Sequence, residues 1–153
     1  MAVRLQRCAE FLAAARIRHH EDVEQGLIRV VRLTREYRNL RDEKLVILQI
    51  ATPDEGRRCR VTIERAFAVG PDAAATCREL CRAAAETPLV GVEFDADFDN
   101  LRMVVETVIE DGDLTRRQLL SMVDSLTEAA EIWHAVLGGM RLAADAGQPR
   151  AAA

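Results

Sequence analysis

With 153 residues, 49% of them hydrophobic and 30% charged, the chain can bury enough apolar surface for one globular core and is too short for two. Its net charge of -4 and pI of about 5.4 give no general attraction to nucleic acid or anionic lipid, since both need a basic surface that releases counterions. No run of about 18 apolar residues is present to span a bilayer, and the opening Met1 to Cys8 lacks an apolar signal core, so a cytoplasmic protein is expected.

Val3 to Ala15 places Leu5, Cys8, Leu12 and Ala15 at spacings of three and four, with Phe11 beside them, which predicts an amphipathic helix. Arg18 to Val23 and Leu27 to Thr34 flank Glu24-Gln25-Gly26, and Ile28, Val30, Val31 and Thr34 are β-branched, so a hairpin is expected. Arg35 to Glu43 reads as a polar loop. The nearly continuous apolar run Leu45 to Ile50 predicts a central strand covered on both faces. Thr52-Pro53-Asp54-Glu55-Gly56 has turn chemistry, because Pro fixes φ and Gly supplies positive φ. Cys59, Val61, Ile63 and Arg65 then alternate with Arg60, Thr62 and Glu64 as a further strand.

Pro71-Asp72 opens a second helix in which Asp72 caps free amides and Cys77, Leu80, Cys81 and Ala84 share one apolar face. Thr87-Pro88 ends it, because a residue before proline leaves the helical region. Val90, Val92 and Phe94 alternate with Gly91, Glu93 and Asp95, and Leu101 to Ile109 supplies the partner strand of a second hairpin. Thr115-Arg116-Arg117-Gln118 is a capping box. Leu119, Met122, Val123, Leu126, Ala130, Trp133 and Leu137 then keep helical spacing for about 23 residues, roughly 34 Å. Gly138-Gly139 is expected to stop this helix, leaving residues 1–140 as one domain and 141–153 as a flexible tail, frayed from Asp145 onward. Short links between strands favour antiparallel pairing, so the expected class is α+β, with helices packed on one antiparallel sheet.

Charge is segregated along the chain. Residues 1–70 carry 14 basic and 10 acidic side chains, and residues 71–153 carry 7 basic and 15 acidic. Of the 21 basic residues, Lys44 is the only lysine, a bias that reads as codon usage before it reads as a binding device. Arg29, Arg32, Arg35, Arg38 and Arg41 recur at every third position. On a helix they would form a ridge suited to phosphates; in a strand, successive members fall on opposite faces. A solvated edge strand and loop is the favoured reading, and nucleic acid is disfavoured as a partner.

Asp95, Asp97, Asp99 and Glu106 match the acidic positions of a calcium-binding EF-hand loop. The required Gly is Asn100, and the flanking sequence is strand-like, so a plain hairpin turn is preferred. Cys77 and Cys81, one turn apart, could join His19, His20 or His134 at a soft metal, but without a second matched pair they are read as core residues, and the face made by Cys77, Leu80, Cys81 and Ala84 is the candidate dimer face. All four cysteines are expected as reduced thiols. Glu110, Asp111 and Asp113 are assigned to helix entry. Ser121 and Ser125 sit inside a helix and no glycine-rich phosphate loop occurs. No catalytic set, metal or cofactor is therefore expected.

Leu89-Val-Gly-Val-Glu-Phe-Asp-Ala-Asp97, followed by Leu101-Arg-Met-Val-Val-Glu-Thr-Val-Ile-Glu-Asp-Gly-Asp-Leu-Thr-Arg-Arg-Gln-Leu-Leu120, resembles the YbjN-like family, whose fold is that of type III secretion chaperones. The shared features are a strand ending in an acidic turn, a second strand, a short acidic link, and Leu114-Thr115-x-x-Gln118-Leu119 opening a long helix. Coverage is best over the last third of the ordered chain. Asp99-Asn100 stands where the family often has Gly, and the first half matches in element order. The resemblance implies a bacterial α+β protein without catalysis that forms a homodimer and binds another polypeptide. It supplies no catalytic residues. The alanines Ala73 to Ala75 and Ala83 to Ala85 keep the second helix thin, a route to close helix approach in a dimer. The alternative is a ligand-sensing or nucleic-acid-associated regulatory domain using the arginine-rich first half.

Overall fold

The structure is a computed structural model that describes residues 5–109 and 113–147, with side chains as far as Gly138. Its elements follow in the order α1 (Leu5–Ala14), β1 (His19–Asp22), β2 (Leu27–Leu33), β3 (Leu45–Ala51), α2 (Pro53–Gly56), β4 (Arg58–Ala68), α3 (Ala73–Glu86), β5 (Gly91–Asp95), β6 (Asn100–Val108) and α4 (Arg116–Gly147). The six strands form one sheet in the order β1-β2-β3-β4-β6-β5, and every adjacent pair is antiparallel. This is the expected α+β class.

Period-two alternation decides what the sheet buries. Ile28 and Val30 of β2, Val46, Leu48 and Ile50 of β3, Cys59, Val61 and Ile63 of β4, and Leu101, Met103 and Val105 of β6 are all buried. Helices cover this face. α1 contributes Cys8, Ala9 and Leu12, and α3 contributes Thr76, Leu80 and Ala83. α4 lays down Leu119, Met122, Val123, Leu126, Ala130 and Trp133.

Local chemistry sets the element ends. Between β1 and β2, Gly26 takes φ 63°, and the Asp22 carboxylate accepts from the Gln25 amide at 3.1 Å. Asp72 caps α3 by accepting from the Ala75 amide at 2.9 Å. The capping box of α4 is reciprocal: Gln118 N donates to Thr115 Oγ1 at 3.2 Å and Thr115 N donates to Gln118 Oε1 at 2.9 Å. The buried Trp133 indole donates to Thr87 Oγ1 at 3.0 Å, which ties α4 to the end of α3.

Three expectations change. The glycine pair does not stop α4, which runs to Gly147. Each glycine costs about 1 kcal/mol relative to alanine, and the alanine-rich stretch behind them, Ala143, Ala144 and Ala146, favours helix strongly enough to continue it. Residues 148–153 lie outside the described residues. β3 is not covered on both faces, because Ile47 is 42% exposed; its continuous apolar run reflects an uncovered apolar face. Cys77 and Cys81 are exposed, while the buried face of α3 is Thr76, Leu80 and Ala83. Thr76 goes inside because its hydroxyl donates to the Asp72 carbonyl at 3.0 Å, satisfying the polar group that burial would otherwise penalise.

Candidate interaction surface

Residues alternating with the core positions of β2, β3, β4, β6 and β5 form the face of the sheet opposite the helices. It has two halves of different chemistry. Between β2 and β3, Val31 lies opposite Ile47 and Leu33 opposite Leu45. Leu33 is 84% exposed and Val31 49%, so the four side chains make an apolar column open to water.

Across β4, β6 and β5 the same face carries charge. Arg60 lies opposite Glu106 and Glu93 opposite Arg102. Glu106 accepts from Arg58 Nη1 at 2.6 Å and from Arg60 Nη1 at 2.8 Å. Glu93 accepts from Arg60 Nη2 at 2.6 Å and from Arg102 Nη1 at 3.2 Å. Arg102 Nε also donates to Glu64 at 2.6 Å. The hydrogen bond from Arg60 is the main reason that the Glu93 carboxyl is held below the usual carboxylate range. Cross-strand pairs of opposite sign stabilise the ladder they sit on. These charges satisfy one another, whereas among the described residues no element covers the neighbouring apolar column.

A loop joins this surface to the helical side. The backbone amides of Arg35, Glu36 and Tyr37 all donate to the Glu131 carboxylate of α4, the latter two at 3.0 and 2.7 Å. Burial pulls the Glu131 carboxyl upward, but the amides of Arg35, Tyr37 and Glu36 together outweigh it and the net shift is downward. Tyr37 is fully buried. Its hydroxyl donates to the Ala66 carbonyl at 2.8 Å, and its ring meets Phe67 and His134 edge-on. Beside this loop, Arg38, Leu40, Phe67, His134 and Leu137 help line a cleft of about 300 Å³. Sequence reading missed Glu131 and Tyr37. Backbone donors leave no mark in a sequence, and a single Glu on a long helix has no distinguishing spacing.

No protein-family model matches the chain, and no curated protein matches it in sequence. Solved structures do match. YbjN from E. coli, described as a candidate transcription regulator, superposes with a TM-score of 0.63 at 15% identity, over 89% of this chain and 93% of that one. The HopA1–SchA chaperone–effector complex matches with a TM-score of 0.56 at 13% identity, over 82% of this chain and 88% of the other. The Yersinia pestis type III secretion chaperone SycH, in complex with a stable fragment of YscM2, matches with a TM-score of 0.52 at 19% identity, over 82% and 95%. The fold is YbjN-like and chaperone-like.

Within that YbjN-like frame the arginine series is divided. Arg29 lies on the open face and pairs with Asp22 at 2.7 Å. Arg32 reaches the helical side and pairs with Asp124 of α4 at 3.0 Å. Arg38 pairs with Asp42 at 3.2 Å, and Arg35 and Arg41 are exposed on the loop. Of the residues assigned to a dimer face, Cys77 and Cys81 are exposed, Ala84 is half-buried, and Leu80 is buried in the chain's own core.

The acidic hairpin has the geometry of a turn. The Asp97 amide donates to Asp95 Oδ1 at 3.1 Å, Asp99 takes φ 50°, and Glu106 is engaged by two arginines on the open face. Asp113 pairs with Arg7 at 2.9 Å; Glu110 and Asp111 lie outside the described residues. Among the described residues no three His, Cys, Asp or Glu side chains gather as metal ligands, and no helix is long and apolar enough to cross a membrane.

Proposed function

We propose that the chain is a non-enzymatic protein-binding module that acts as a homodimer and holds a segment of another polypeptide against the open face of its sheet. The observation that carries this reading is the apolar column Val31–Ile47 and Leu33–Leu45, which the fold leaves in water beside charges that are already paired. An apolar patch rimmed by polar residues marks a surface that another chain covers. A likeness in fold to two chaperones solved with bound proteins supports the reading. The occupant expected is an extended or amphipathic segment whose apolar side chains meet the column, so its retention should resist salt.

The alternative, a regulator using the arginine-rich first half, draws on the likeness to YbjN. It receives less support because Arg29 and Arg32 are paired within the chain and sit on opposite faces. Light scattering should give twice the chain mass of 17.0 kDa; a monomer mass at high concentration removes the dimer. Affinity capture from native extract at low and high salt separates the two readings. A protein retained at high salt supports the module, and salt-labile nucleic acid supports the alternative.

A further inference from the structure

The register of α3 brings together the two cysteines that the core does not use. Cys77 and Cys81 are both exposed free thiols, although cysteine is among the residue types most often buried. The inward side of α3 is taken by Thr76, Leu80 and Ala83. Positions 77 and 81 stand four apart within the continuous helix Ala73–Glu86, so their side chains are neighbours on one face, with Cβ atoms about 5–6 Å apart. Ala73 and Ala85 extend the same row in both directions and are exposed, so along that row only methyl groups flank the thiols. Arg78, three positions before Cys81, is exposed as well, and Arg82 is turned to Glu79 at 2.8 Å.

That spacing chooses between two uses of a thiol pair. A disulfide needs Cβ atoms about 3.5–4.5 Å apart, closer than an unbroken helix brings them. A metal ion between the sulfurs adds two bonds of about 2.3 Å each, the length found at zinc, and spans the gap with the helix intact. Zinc takes four ligands, and among the described residues no three His, Cys, Asp or Glu side chains gather. Copper(I), which is soft and satisfied by two sulfurs in line, matches what α3 offers. We infer that Cys77 and Cys81 are a two-thiolate site for a single copper(I) ion on the exposed face of α3. Both sulfurs bind as thiolates, so two protons leave for each ion bound and no electron is transferred. The single negative charge left on the sulfur–copper–sulfur unit is favoured by the positive charge of Arg78 on the neighbouring turn. One chain supplies both ligands, so the site does not depend on a second copy.

The experiment titrates the reduced full chain, kept free of oxygen, with copper(I) presented as its bicinchoninate complex. One ion per chain should pass to the protein with release of two protons, and Cys77 and Cys81 should then resist alkylation by iodoacetamide. Cys77→Ser and Cys81→Ser should each weaken uptake by more than the ~100-fold that loss of an outer-shell group can cost. Because both positions are exposed, each variant should still melt within about 2 °C of the parent. Cys77→Ser combined with Ala85→Cys re-forms a spacing of four with Cys81 and should recover the uptake. The inference is overturned if either single variant binds as tightly as the parent, if the respaced pair recovers nothing, or if the copper bound per chain is none, one half or two.

Discussion

The two faces of the sheet are built from the same strands and answer to different demands. On the helical face the inward positions from Ile28 to Val105 are apolar and buried, and Arg32 and Thr107, at the margins of β2 and β6, are the polar residues on that side. On the open face stand Val31, Leu33 and Ile47 at one end and Arg60, Glu93 of β5, Arg102 and Glu106 at the other. Burial of apolar area stabilises the first face at about 25 cal/mol per Å². The second face gains little from its ion pairs, because exposed pairs contribute only about 0–1 kcal/mol each. Folding therefore depends on the covered face, and the open face is free to carry side chains chosen for contact with something else.

The sharpest way to break that division is at Trp133, the chain's single tryptophan, fully buried and hydrogen-bonded to Thr87 at the end of α3. Trp133→Ala should cost about 3–5 kcal/mol through lost contacts and the cavity left behind. Urea unfolding followed by far-ultraviolet circular dichroism should show a lower midpoint with an unchanged slope. A loss below about 1 kcal/mol would mean that the helical face is not where stability resides.

A smaller effect is expected at Glu131, which joins the helical side to the loop after β2. Glu131→Gln replaces an acceptor-only carboxylate by an amide with one acceptor oxygen, and because the Arg35 and Glu36 amides are exposed enough to turn to water, the loss should be about 1 kcal/mol. Because the folded carboxyl lies below its ordinary value of 4.5, its contribution is fully present above that pH and is lost as pH falls through the lower folded value. The variant should therefore lose stability at neutral pH, and its acid limb should be flatter than that of the parent. Equal acid limbs in the two proteins would show that the three amides do not depend on the charge.

How much of this could be read from the sequence follows from which forces leave a local trace. Hairpins and caps did, because Thr115 with Gln118, Asp72, and the alternation in β5 and β6 act over a few residues. The two-sided coverage expected for Leu45 to Ile50 failed for an informative reason: an apolar run reports that water is unfavourable on both faces, not that the chain itself supplies the cover. Hydrophobicity places Cys77 and Cys81 inward, but the buried residues of α3 are Thr76, Leu80 and Ala83, and the Thr76 hydroxyl is satisfied inside by the Asp72 carbonyl. The Glu131 cradle joins positions about 95 residues apart, and nothing local announces it.

The least destabilising change should be the one that tests the open face most directly. Leu33 is 84% exposed, so replacing it by serine removes apolar surface that folding never took from water, and the unfolding free energy should move by no more than about 0.5 kcal/mol. Ile47 is more enclosed, so Leu33→Ser is the cleaner probe. If the column is a contact surface, the same substitution should sharply reduce salt-resistant capture of a protein partner, since exposing a serine to an apolar segment forfeits that segment's burial. A stability loss above about 1 kcal/mol would show that the open face contributes to folding after all. Unchanged capture would place the partner elsewhere, because a surface that tolerates loss of its most exposed apolar side chain without penalty in either assay is not where the partner sits.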